Sequence, residues 1–285
     1  MESTVVLTTV GGPWLGEQLA ALAVQTRPPT QLVLVNNGPA GAVDDLVERW
    51  RPELPGLELV EDTAMKVCGF ARNVGAARAR HPGLLFIDDD DVVDPGYVEA
   101  MSRGLDDYEM TAARIDVEQL NRPGLSQRWG RMQTDAPMDY HDFLPWVIGG
   151  ALGVRTETFH QVGGFDTDYL VAEDTDFCWR VQLHGSAKIG FVPEARMAYR
   201  LRGDMRPAFR QARKWAFWDV ALYKHYRSVG RPEPGNQLRA LLRWGRPLLV
   251  LLKARNREDV VVAARLMGGA LGRVQGSIRH RCLFL

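Results

Sequence analysis

Four short apolar runs, Thr4–Thr9, Leu32–Val35, Leu57–Val60 and Leu84–Ile87, alternate with amphipathic stretches over Leu15–Gln25, Val43–Trp50 and Ala71–Ala79. Runs this short suit buried strands, and the stretches between them carry apolar residues at helical spacing. Strand alternating with helix at this interval predicts a parallel sheet with helices on its faces. Ligands of such sheets sit at the carboxyl ends of the strands. Two polar clusters fall there: Asn36-Asn37 after the second run and Asp88–Asp91 after the fourth.

Beyond Asp94-Pro95 the pattern is less regular. It predicts a helix over Tyr97–Leu105, a poorly patterned stretch Asp116–Tyr140, a helix start near Thr156 and a turn at Gly163-Gly164-Phe165-Asp166. A helix over Glu173–Leu183 with an acidic first turn follows, and then, after Val192-Pro193, a short strand around Ala198–Leu201. The remainder reads as helical segments broken at Gly230-Arg231-Pro232 and near Gly245–Pro247. Its apolar runs, Leu248–Leu252 and Val260–Ala264, fall well short of the ~20 residues a membrane-crossing helix requires.

With 285 residues, 46% of them hydrophobic, the chain can bury a sizeable core in one large domain or one and a half. Its formal net charge of zero conceals an asymmetry, −14 over residues 1–199 and +14 over residues 200–285. A basic tail fits an anionic membrane surface, a phosphorylated acceptor, nucleic acid, or a solvated helical face paired with the acidic part. Within Arg239–Arg281, ten Lys/Arg stand against Glu258 and Asp259, interleaved with leucine, valine and tryptophan. That pattern suits peripheral contact with an anionic bilayer; packing on the rest of the chain or forming a homodimer explains it equally. Three widely spaced cysteines, Cys68, Cys178 and Cys282, suggest neither a disulfide framework nor a zinc site, and the six histidines show no ligand spacing. A reducing compartment and the lack of a secretory leader pattern predict a cytoplasmic protein, peripheral at the inner face of the membrane if the basic part binds lipid.

Four carboxylates crowded at a strand end repel one another and call for a cation. Mg²⁺ or Mn²⁺ prefers carboxylate oxygens and takes water and substrate phosphate as its remaining ligands. In a loop leaving the strand, Asp88 and Asp90 can face one side while Asp89 points away. The plainer alternative, a cap for the helix after Asp94-Pro95, needs one acceptor rather than four. Glu173, Asp174 and Asp176 fit a helix start favoured by its dipole. Together with the strand-end aspartates they also offer a carboxylate base for transfer to a hydroxyl.

The ordered set Gln25-Thr26-Arg27-Pro28-Pro29, Val33–Gly38, Gly69-Phe70-Ala71-Arg72-Asn73-Val74-Gly75, Asp88–Asp91 with Asp94-Pro95-Gly96-Tyr97, Gly163–Asp166 and Glu173-Asp174 resembles that of family 2 glycosyltransferases of the GT-A fold. The resemblance covers about 200 residues. It implies a Rossmann-like, mostly parallel sheet over residues 1–205, with a nucleotide-binding half at 1–95, an acceptor-binding half at 96–205 and a basic helical extension at 206–285. It also implies inverting transfer of a sugar from a nucleotide diphosphate donor to a hydroxyl-bearing acceptor, whether glycan, lipid-linked or small molecule, and no nucleic-acid partner. Thr8, Thr9, Asn36 and Asn37 fall where the family contacts base and ribose, and Arg72 and Asn73 where it helps hold the nucleotide. Asp88 and Asp90 resemble the metal-binding D-x-D pair, with Asp91 able to share that role and Asp89 among the donor contacts. Asp174 resembles the catalytic base, beside Glu173 on the acceptor side.

The chain departs from the pattern in two places. Asn36-Asn37 replaces a frequent acidic pair. Tyr199-Arg200-Leu201-Arg202 stands where many relatives have a histidine, so Arg200 or Arg202 is expected to meet the diphosphate, unless they are solvated surface residues. Trp146 is the tryptophan placed to stack on an acceptor sugar, although packing in the core is the commoner fate of such rings. Two other readings remain at this point. Asp88–Val92 also fits the nucleophile motif of haloacid-dehalogenase-like phosphatases, though it follows several strands and lacks the expected lysine before Glu173. The other is a non-catalytic nucleotide-sugar-binding module.

Overall fold

The computed structural model describes residues 1–130, 132–139, 143–185, 187–233 and 245–284. Arg131 and Tyr140, in the poorly patterned stretch, and residues 239–244 of the basic segment lie outside them. The chain divides into two compact units.

The first unit comprises residues 1–119, 132–139 and 144–200. Strands β1 (Ser3–Thr9), β2 (Gln31–Asn36), β3 (Leu57–Glu61) and β4 (Gly83–Asp88) alternate with helices α1 (Leu15–Ala23), α2 (Asp44–Trp50) and α3 (Cys68–Ala76). The unit continues through β5 (Val92–Val93), α4 (Tyr97–Asp107), β6 (Met110–Asp116), β7 (Leu152–Arg155), α6 (Thr156–Gln161), α7 (Glu173–Gly185) and β8 (Ile189–Ala198). The eight strands form one sheet in the order β3-β2-β1-β4-β7-β6-β8-β5. β3, β2, β1 and β4 run parallel, β7 is antiparallel to both neighbours, and β6 and β8 are parallel to each other. Val5, Val6 and Leu7, Leu32–Val35 and Leu84–Ile87 are fully buried, as expected of strands covered on both faces.

The late strand differs from the one read in the sequence. β8 spans Ile189–Ala198, running through Pro193 and ending where the short strand was expected to begin. Its register against β6 breaks between Ala113 and Arg114, the partners being Val192 and Arg196. Pro193 falls in that bulge, where its missing N–H breaks no ladder bond.

The second unit holds residues 120–131, 140–143 and 201–285, with α5 (Pro123–Trp129), α8 (Met205–Tyr226), α9 (Gly245–Leu252) and α10 (Arg257–His280). Gly268, Gly272 and Gly276 let α10 lie against the backbone of α8, since a Cβ on them would come within 2.3, 2.2 and 2.7 Å of the carbonyl oxygens of Phe209, Arg213 and Phe217. Asn256 caps α10 by accepting the N–H of Asp259. No helix among the described residues is long and apolar enough to cross a membrane.

Candidate active site

The parallel strands end together, placing Thr8 beside Asp88 and Thr9 beside Asn36 in the sheet register. Asp88 is half-buried, and its Oδ1 accepts from Nη2 of Arg72 at 2.8 Å. The Thr8 hydroxyl lies 3.4 Å from the same oxygen. Arg72 is 3% exposed, and its Nη1 donates to Oε1 of Glu173, also at 2.8 Å. One guanidinium thus links the end of β4 to the start of α7. The neighbouring Asn73 holds the Gly163–Asp166 turn, donating to the carbonyl of Phe165 and accepting its N–H at 2.8 and 2.9 Å.

A backbone turn at Gly149-Gly150 completes the cluster. A Cβ on Gly149 would lie 2.5 Å from Nη1 of Arg72, and one on Gly150 2.7 Å from Oδ2 of Asp88, so only glycine admits this approach. The Gly149 N–H donates to Oδ2 of Asp174 at 2.9 Å, while Oδ1 accepts the N–H of Thr175 at 2.7 Å. Gln133, fully buried, holds the turn's approach by accepting the N–H of Ile148 and donating to the Ala113 carbonyl. Ala172, just before α7, has φ +68°, a left-handed conformation that costs a non-glycine residue about 1 kcal/mol or more. Such strain gathers at functional sites.

Burial lifts the Glu173 carboxyl above the usual carboxylate range, with Asp174 adding to the rise and Arg72 opposing it. Burial likewise raises Asp174, against Arg72 and the N–H groups of Gly149 and Thr175. Burial also raises Asp89, which accepts hydrogen bonds from the Thr9 hydroxyl and the Gly12 N–H.

The other residues named from the sequence sit as follows. Asp91 is 1% exposed and accepts the N–H of Arg200 at 2.8 Å. Arg200 donates to the carbonyl of Asp90 and to Glu17, and stacks 4.9 Å over Trp14. Asn36 donates to Glu61 and the Pro39 carbonyl, and Asn37 to the carbonyls of Asp62 and Met65, so both hold the loops at the β2 end. Trp146 is 6% exposed, its backbone paired with Met138. Arg202 belongs to the second unit. Gly149, Gly150 and Gln133 were not singled out from the sequence. The Gly-Gly pair was the available signal, but nothing local says which side chains it approaches.

Among the described residues no three His, Cys, Asp or Glu side chains converge as a ready metal cage. The donor set present, half-buried carboxylates at a strand end, fits a hard cation that completes its shell with water and phosphate oxygens.

The mixed sheet with its helices is the GT-A glycosyltransferase fold. It superposes on the mannosyltransferase PcManGT from Pyrobaculum calidifontis, in complex with GDP-Man and Mn²⁺, with a TM-score of 0.61 at 16% identity over 96% of this chain and 87% of that one. For residues 1–349 of S. aureus TarS in complex with UDP-GlcNAc the TM-score is 0.57 at 16% identity, over 99% and 93%. The family model for glycosyl transferase family 2 matches residues 3–160, and that for glycosyl transferase family group 2 matches residues 83–254. The chain belongs to glycosyl transferase family 2, and it is a transferase enzyme. It is 26% identical to the glycosyltransferase YwdF of Bacillus subtilis (strain 168) over 78% of this chain and 83% of that protein. It is also 26% identical to the pre-mycofactocin glycosyltransferase of Mycobacterium tuberculosis (strain ATCC 25618 / H37Rv), over 53% of this chain and a third (33%) of that one. It spans 55% of a longer TarS chain. The family match removes the phosphatase reading.

Proposed function

We propose that the first unit moves a sugar from a nucleotide diphosphate donor to an acceptor hydroxyl with inversion, Asp174 acting as the base. The observation that carries this reading is the joining of Asp88 to the Glu173-Asp174 pair by Arg72 and the Gly149-Gly150 turn. Asp174 takes the acceptor proton as the acceptor oxygen bonds to the anomeric carbon, and the bond from that carbon to the diphosphate oxygen breaks. A raised carboxylate is the better proton acceptor for this step. Thr8, Thr9 and Asp89 line the nucleotide side, while Asn36, fully buried, and Asn37 serve it by holding the loops at the end of β2 rather than by touching base or ribose. Arg72 and Asn73 serve it indirectly by fixing Asp88 and the Gly163–Asp166 turn. Glu173 keeps Arg72 in place beside the acceptor, and Trp146 shapes the acceptor wall from within.

Asp90 and Asp88 would hold a Mg²⁺ or Mn²⁺, which supplies positive charge to the departing diphosphate. Asp91, with its Oδ1 on the Arg200 N–H, holds the loop. The solved relatives complexed with UDP-GlcNAc or with GDP-Man and Mn²⁺ support the donor class. Thermal unfolding with a panel of UDP- and GDP-sugars, with and without Mn²⁺, tests the proposal. A donor at a hundred times its Kd adds about 2.7 kcal/mol of stability. A metal-dependent shift with at least one sugar nucleotide is expected, and a flat response to all of them would defeat it.

A further inference from the structure

Helix α9 turns leucines outward. Leu248, Leu249, Leu251 and Leu252 are 54, 57, 50 and 83% exposed, four of the eight residues of Gly245–Leu252. A soluble surface does not gather large side chains in this way without something to cover them. The charges around them select the cover. Arg246, Lys253 and Arg255 are all exposed, and no carboxylate occurs between Gly245 and Arg257. Leucines flanked along the chain by cations, with the nearest carboxylates following only at Glu258 and Asp259, match the acyl boundary and headgroups of an anionic bilayer, where each cation gains from the surface potential while the leucines leave water. At eight residues α9 is too short to span a membrane and suited to lying in its interface.

We infer that α9 docks this protein on membranes carrying anionic lipid, Leu248, Leu249, Leu251 and Leu252 entering the interface and Arg246, Lys253 and Arg255 meeting the headgroups. The inference stands apart from the transfer chemistry, since none of these residues belongs to the proposed site.

Flotation of the full chain with vesicles tests it. Binding is expected to vesicles of phosphatidylcholine with phosphatidylglycerol and to be far weaker with phosphatidylcholine alone. Leu249→Ser with Leu252→Ser should weaken binding by about tenfold or more. Lys253→Ser with Arg255→Ser should weaken it by several fold, most visibly at low salt. Both pairs are exposed, and each variant should keep the wild-type melting temperature and its turnover of a soluble acceptor. Failure to float with anionic vesicles, or equal flotation of the leucine variant, would overturn the inference. So would light scattering showing a dimer that the leucine variant converts to monomer, for then a second copy covers α9. Failure of the wild-type chain to float while its turnover is intact strikes only the docking; near-wild-type turnover in Asp174→Asn strikes only the transfer reading.

Discussion

Nη1 of Arg72 and Oε1 of Glu173 meet at 2.8 Å across 101 residues of chain, both side chains buried, while the other arm of the same guanidinium holds Asp88. Removing one partner of a buried pair leaves uncompensated charge and costs about 3–5 kcal/mol. Arg72→Gln should therefore lower stability to urea by that order and abolish transfer. Arg72→Lys, which cannot fork to two carboxylates, should retain part of the stability and little of the turnover.

Asp88 is in place only while the Gly150 backbone can approach it. Gly150→Ala puts a methyl group 2.7 Å from Oδ2 of Asp88. The expected cost is about 1–3 kcal/mol of stability. Donor affinity measured by calorimetry should fall with it, whereas Gly96→Ala, which has open space around it, should leave donor affinity alone.

The raised carboxyls of Glu173 and Asp174 set the direction of the pH dependence. In the folded protein they hold protons to higher pH than in the unfolded chain, so the folded state binds more protons above the ordinary carboxylate pKa. Their contribution to stability is then present at low pH and lost as pH rises through the raised values. The acid limb of the kcat profile should also lie above the ordinary carboxylate range, because the base must be ionised. Glu173→Gln should move that limb toward lower pH by removing a neighbouring carboxylate, as the pH profile of kcat will show.

In the second unit, Gly272→Ala would place its methyl 2.2 Å from the Arg213 carbonyl oxygen and force α8 and α10 apart. Overpacking of this kind costs about 1–3 kcal/mol. Gly269→Ala, with nothing near its Cβ, should instead match or exceed wild-type stability in the same melt.

The parallel half of the sheet was legible because its signals are local. The runs Thr4–Thr9, Leu32–Val35, Leu57–Val60 and Leu84–Ile87 became β1 to β4 with shifts of a residue or so at their ends. α3 starts at Cys68, ahead of the expected Ala71, because Gly69 looks like a loop residue until Phe165 and Glu173 pack against it. β6 to β8 were hidden: β7 is four residues long, and β8 carries a proline whose place depends on a bulge against β6. At the candidate site, the crowding of Asp88–Asp91 was visible along the chain. The union of Arg72 with Glu173 was not, since only the tertiary fold brings residues so distant in sequence together.

The account rests on Asp174 as the group that accepts the acceptor proton, and Asp174→Asn tests it most directly. Asparagine keeps the shape and removes the basic oxygen. Turnover should fall by about 10²–10⁴-fold, while the Kd for the nucleotide diphosphate, measured by calorimetry with Mn²⁺, stays within about threefold of wild type, less than the tenfold that 1.4 kcal/mol would bring. Turnover near the wild-type rate in that variant, with donor binding intact, would contradict the account.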